Sequence, residues 1–160
     1  MQQDMEQFFG LLERRIATLR LVAEGLRDSR EAFAELKLDA IHQHIAQQES
    51  FLRDIHTLDA QLDSLGKKLA ANAGLEPGGA GLPGLEDRLQ PADAQRLRLL
   101  LSSLSTIQAD VRRLNQVHAM LLRRSRRTVD ILMNVVGNHT GTYQPPAPRP
   151  ALTVPVAAGS

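Results

Sequence analysis

The chain has 160 residues, 42% of them hydrophobic, the length of one domain with enough apolar side chain for a core, so a wholly disordered chain is excluded. Leucine fills 26 positions while aromatics make up 3% with no Trp, a mixture that suits long helices better than a sandwich or barrel. Zero cysteines exclude disulfide scaffolds, thiolate zinc sites, thiol nucleophiles and cysteine-ligated iron–sulfur clusters, and a net charge of +1 falls short of a dedicated nucleic-acid binder. The start, Met1-Gln2-Gln3-Asp4, has neither a basic nor an apolar leader region, and no run of 18 apolar residues occurs. A cytoplasmic protein without signal peptide or membrane insertion is expected.

In the first segment Met5, Leu12, Leu19, Leu26 and Phe33 recur every seven residues, and Phe9, Ile16 and Ala23 interleave four residues later. This is an a/d heptad pattern, and it predicts a helix over about 3–35. Gly10 and Gly25 fall inside it, where each costs up to about 1 kcal/mol and permits bending. A second series, Leu38, Ile41, Ile45, Leu52, Ile55, Leu62, Leu65 and Leu69, predicts a helix over about 39–71, with Asp39 as its cap and Lys67-Lys68 near its C-terminal dipole. From Gly74 to Gly84 the density of Gly and Pro predicts a flexible linker over 72–91, with a short helical piece near Leu85–Leu89. After Pro91 and Asp93, apolar positions at alternating spacings of three and four run from Leu97 through Leu114, His118 and Leu121 to Leu132 and Val135. They predict the longest helix, over about 92–136. Beyond Gly137 the prolines 145, 146, 148, 150 and 155 predict a disordered tail over 138–160.

At about 1.5 Å per residue the first two helices span roughly 50 Å each and the third roughly 67 Å. The expected fold is therefore all-α: an antiparallel three-helix coiled-coil bundle, residues 1–137, with a long third helix that outreaches the first two and a disordered Pro-rich C-terminal tail.

Little in the chain carries catalytic or metal chemistry. His42 and His44 are two apart on a helix and point in different directions, without the i, i+4 geometry of paired ligands, and read as solvated. His118 holds a core-type position one turn after Asn115, a pairing suited to fixing helix register. No nucleophile elbow and no phosphate-binding glycine loop after a strand occurs. No enzyme, no cofactor and no metal is expected. The cluster Arg123-Arg124-Ser125-Arg126-Arg127 is part of eight arginines between Arg96 and Arg127, whereas residues 1–72 carry 12 acidic and 9 basic residues. Complementary charge between neighbouring helices is the leading account; an acidic protein partner is second, and nucleic acid is disfavoured because no aromatics interleave the arginines. Past the arginines, Val129 to Val136 is apolar on more than one face where the helix should overhang. Such a surface is covered by a self-contact, a second copy or an amphipathic helix of another protein.

These residues resemble the FlgN-type flagellar export chaperones. The resemblance is carried by Phe33-Ala34-Glu35-Leu36-Lys37-Leu38-Asp39-Ala40-Ile41, Gln48-Glu49 with Phe51-Leu52, Leu114-Asn115-Gln116 followed by Leu121-Leu122, and Thr142-Tyr143. His118 departs from the family pattern, as do the glycine-rich linker and Gln144-Pro145 after the tyrosine. The resemblance implies a cytoplasmic chaperone that binds the helical terminal segments of the hook-associated, or hook–filament junction, proteins and delivers them to the flagellar type III export gate, with the export ATPase complex as a further contact. Leu121, Leu122, Val129, Leu132, Met133 and Val136 are then the client-binding candidates, and Tyr143 the residue implied to dock on the gate. A self-associating structural or adaptor coiled coil, a homodimer through the third helix, remains the alternative.

Overall fold

The computed structural model describes residues 1–75 and 81–140, with the side chains of 81–83, 125, 128, 129 and 135–140 outside the description. It contains α1 (Gln2–Ala34), α2 (Leu38–Asn72), a six-residue α3 (Gly81–Glu86) and α4 (Pro91–Thr140), and no strand among the described residues. The all-α bundle expected from the periodicity is the fold observed. Two compact units divide the chain, Met1–Ser125 and Arg126–Ser160.

The first unit is built on α1. All eight of its heptad positions, from Met5 to Phe33, are buried, and Phe8, Leu11 and Val22 are buried beside them. One cluster joins Phe8, Phe9 and Leu12 of α1 to Leu58, Leu65 and Leu69 of α2, Leu85 of α3 and Leu97 of α4. A second joins Leu19, Val22, Ala23 and Leu26 to Ile55 and Leu114, with Phe51, Ile107 and Val111 packed against it. The start of α1 thus meets the end of α2 and the start of α4, the antiparallel order required by the short α1–α2 connection. At about 2 kcal/mol per buried leucine or phenylalanine, these clusters are the main favourable term in folding.

The helix ends depart from expectation. Leu36 adopts a left-handed backbone (φ 54°), so Lys37 N–H donates to the Ala32 carbonyl at 2.9 Å and Leu36 N–H to that of Phe33 at 3.4 Å. These two bonds form a Schellman motif on a leucine, at a cost of about 1–2 kcal/mol that glycine would avoid. Lys37 then occupies the N-cap of α2 and makes no side-chain cap bond, which places Asp39 in the first turn and not at the cap. The same motif closes α2 with the favoured residue: Gly74 has φ 71°, and Leu75 N–H donates to the Ala70 carbonyl at 2.9 Å. Lys67 and Lys68 lie short of the last turn and pair instead with Asp63 at 2.6 Å and Asp4 at 2.9 Å.

Within the expected linker, α3 lies four residues earlier than the Leu85–Leu89 piece, and Leu85 is almost wholly buried in the first cluster. The apolar Leu85 overrides the local glycine cost because α1, α2 and α4 all offer it a partner. Gly137 does not end α4, which continues to Thr140, four residues past the expected 136.

Charge complementarity between helices is present in the first half of α4. Arg96 bridges Glu6 at 2.9 Å and Glu13 at 3.1 Å and stacks over the Phe9 ring at 4.5 Å, and Arg27 pairs with Asp110. Both carboxylates raise the Arg96 value, Glu13 first. Because Arg96 is exposed to 40%, solvent screens these pairs. Arg96→Ala is expected to cost about 1 kcal/mol, mostly lost packing on Phe9, read as a small fall in thermal midpoint; a loss several times larger would show that the ion pairs dominate.

Candidate functional site

Along α4 the environment changes at His118. Up to that residue the helix alternates buried and half-buried positions on one side; Leu121 is half-buried, and every described side chain from Leu122 to Asn134 is exposed. Leu122 is 45% exposed, Leu132 55% and Met133 67%. Val129 and Val136 lie outside the described side chains, and Tyr143 outside the described residues altogether. Four of the seven candidates thus have a described environment, and three of those are large apolar side chains in solvent.

Helical register shows what this segment offers. At 100° per residue, Leu132 and Met133 of the second unit are neighbours on the helix surface, and both are exposed. Arg123, Arg124, Arg126 and Arg127 precede them in sequence, and all four are exposed. Two further exposed residues escaped sequence reasoning as site members: Ile131, inside the apolar run, and Met120. Neither exposure could be read from periodicity, because which side of a helix its neighbours cover is set only by the fold.

The histidines are placed differently from expectation. His42 is exposed, but His44 is half-buried and joins a buried His118. Their ring centroids are 5.3 Å apart, and both rings meet Phe33 edge-on, His44 at 5.8 Å and His118 at 4.2 Å. Asn115, expected to pair with His118, is exposed instead. Sequence spacing missed the pair because His44 and His118 meet only once α2 and α4 lie side by side.

Among the described residues no group of three or more His, Cys, Asp or Glu could hold a metal, and no helix is long and apolar enough to cross a membrane. An open groove of about 760 Å³ lies between α1 and α2, lined by Gly10, Leu11, Arg14, Ala60, Ser64 and Lys68.

Fold and surface together define a small all-helical bundle protein that exposes apolar side chains on its last helix. The family described as FlgN protein matches residues 1–148, and the chain belongs to that family, one of flagellar export chaperones and not of enzymes. No curated protein and no solved structure matches the chain.

Proposed function

We propose that this protein binds the helical terminal segments of the hook-associated, hook–filament junction, proteins in the cytoplasm and delivers them to the flagellar type III export gate. The observation that carries the reading is the exposed stretch of α4 holding Leu122, Leu132 and Met133. A client helix laid along it would bury these side chains, together with Leu121, Val129 and Val136, and its acidic residues would meet the flanking arginines. Ordering a disorder-prone client costs several kcal/mol, which keeps the complex reversible enough to hand over. Co-expression with each junction protein, followed by affinity capture, tests the reading: capture of at least one through its terminal segment is expected, and capture of none would remove it.

Delivery to the gate is assigned to Tyr143, on the strength of the family resemblance and of its being the one tyrosine of the chain. A lone large ring can anchor a contact by filling an apolar pocket while its hydroxyl keeps a polar partner. Tyr143→Ala is expected to leave folding and client affinity unchanged and to weaken gate binding by about 2 kcal/mol, roughly thirtyfold in Kd. Titration against the cytoplasmic part of the gate checks this; unchanged gate affinity would leave the docking residue elsewhere. The competing reading, a self-associating coiled coil or homodimer, draws on the same exposed side chains and on Leu38, Ile45 and Leu52, exposed at seven-residue intervals along α2. A mass that rises with concentration in the absence of client would favour it.

A further inference from the structure

The contact of Phe33, His44 and His118 brings three helices together near the α1–α2 turn, and it contains polar atoms that the core leaves unmatched. His118 is 9% exposed and its Nδ1 has no hydrogen-bond partner; the same holds for Nε2 of Gln48 on the adjoining turn of α2. Gly25 makes the close approach possible, because a Cβ there would lie 2.5 Å from Gln48 Nε2 and 3.8 Å from Cε1 of His44. Leucines fill the equivalent layers below, so two imidazoles and a carboxamide stand where aliphatic packing would be more stable.

We propose that the His44–His118 pair is a proton-sensitive latch that holds the Leu114–Leu121 stretch of α4 against α1 and α2 while both rings are neutral and loosens it when either takes up a proton. Neutral imidazoles can pack edge-on to Phe33 and tilted against each other as small aromatic bodies. An imidazolium in the same place is a desolvated charge 5.3 Å from a second ring that can also ionise.

The surroundings offer that charge little relief. From α1 the cluster is faced by Phe33 and by Ser29, whose hydroxyl donates to the Leu26 carbonyl at 3.2 Å; from α2 it is faced by Gln48. The charged residues on the same turns, Arg30 and Glu31 of α1, Glu49 of α2, and Arg113 and Arg124 of α4, are exposed. Burial holds both imidazoles below the ordinary histidine value, and His44 adds a second, like-charge depression to His118.

The sign follows from linkage. Above the ordinary value of about 6.5 the folded and unfolded chains both carry neutral rings and the packing is fully retained. As pH falls below it, the unfolded chain binds protons that the folded cluster resists, so stability falls until the folded values are passed. Each histidine that stays neutral in the native state multiplies the opening constant by up to about tenfold per pH unit in that window.

Two measurements on the full chain test the latch. In an NMR pH titration both His44 and His118 should have midpoints below the ordinary histidine value of about 6.5; midpoints at or above that value would overturn the proposal. Amide exchange, corrected for intrinsic rates, should show protection over 114–121 falling between pH 7 and pH 5.5 by about tenfold or more, and the His44→Leu/His118→Leu chain should lose this dependence while His42→Gln retains it. The same dependence in the double variant would also overturn it.

Discussion

Leu97→Asp is expected to abolish the cooperative unfolding transition of the bundle, the largest single effect available in this chain. Leu97 is wholly buried and is the residue through which α4 enters the cluster of Phe8, Phe9, Leu12, Leu69 and Leu85. Truncation to alanine at such a site costs about 2–5 kcal/mol through lost transfer energy and a residual cavity. Aspartate adds the desolvation of a carboxylate, and the two adjacent cations, Arg96 and Arg98, already serve Glu6, Glu13 and Glu86. Since domains of this kind have about 5–15 kcal/mol of stability in total, the sum approaches or exceeds what is available. Circular dichroism melting checks this: a broad, non-cooperative loss of helix is expected, with Leu97→Ala folded but melting well below the parent. A parental midpoint for the aspartate variant would mean that α4 does not depend on Leu97 for its packing.

The second large effect concerns binding and leaves the fold untouched. Leu132→Asp combined with Met133→Asp places two carboxylates on a segment where both side chains already meet water, so the melting curve is expected to be unchanged. A client helix seated on the stripe would have to bury those charges. Loss of two apolar anchors at about 2 kcal/mol each predicts at least a hundredfold weaker binding of a junction-protein terminal segment. Parental affinity in this variant would place the client surface elsewhere, with the α1–α2 groove around Gly10 and Leu11 the next region to probe.

Most of the fold could be read from periodicity, and the misreadings have identifiable causes. On α1 the heptads were legible because an apolar residue fills every one of the eight positions from Met5 to Phe33, and all eight are buried. On α2 two adjacent stripes compete. Leu38, Ile45 and Leu52 belong to the periodic series yet are exposed, whereas Leu58 and Phe51, one residue behind that heptad, pack inward. A helix rotated by 100° exchanges one stripe for the other, and only the position of α1 and α4 decides between them. Leucine does not announce a left-handed turn, so the sequence points to Asp39 as the cap; the backbone conformation of Leu36 moves it to Lys37. His44 could not be separated from His42 without knowing which of them faces α4.

The exposed apolar run stood out for a different reason. An apolar run following an arginine cluster, on a helix longer than its neighbours, needs no tertiary information to be noticed, and Leu122, Leu132 and Met133 are exposed. What sequence could not supply is the partner's identity, since an aliphatic stripe accepts many amphipathic helices and carries few polar groups to discriminate among them.

The central claim is that the exposed stripe of α4 folds and buries a client's terminal helix, and calorimetric titration of the full chain with a synthetic peptide of a junction protein's terminal segment tests it most directly. The account predicts saturable binding with a negative heat-capacity change from buried apolar surface and a gain in helical circular dichroism over the sum of the two components. The Leu132→Asp/Met133→Asp chain should show neither. Absence of heat and of added helicity with the terminal peptides of all the junction proteins, or equal binding by that variant, would contradict it.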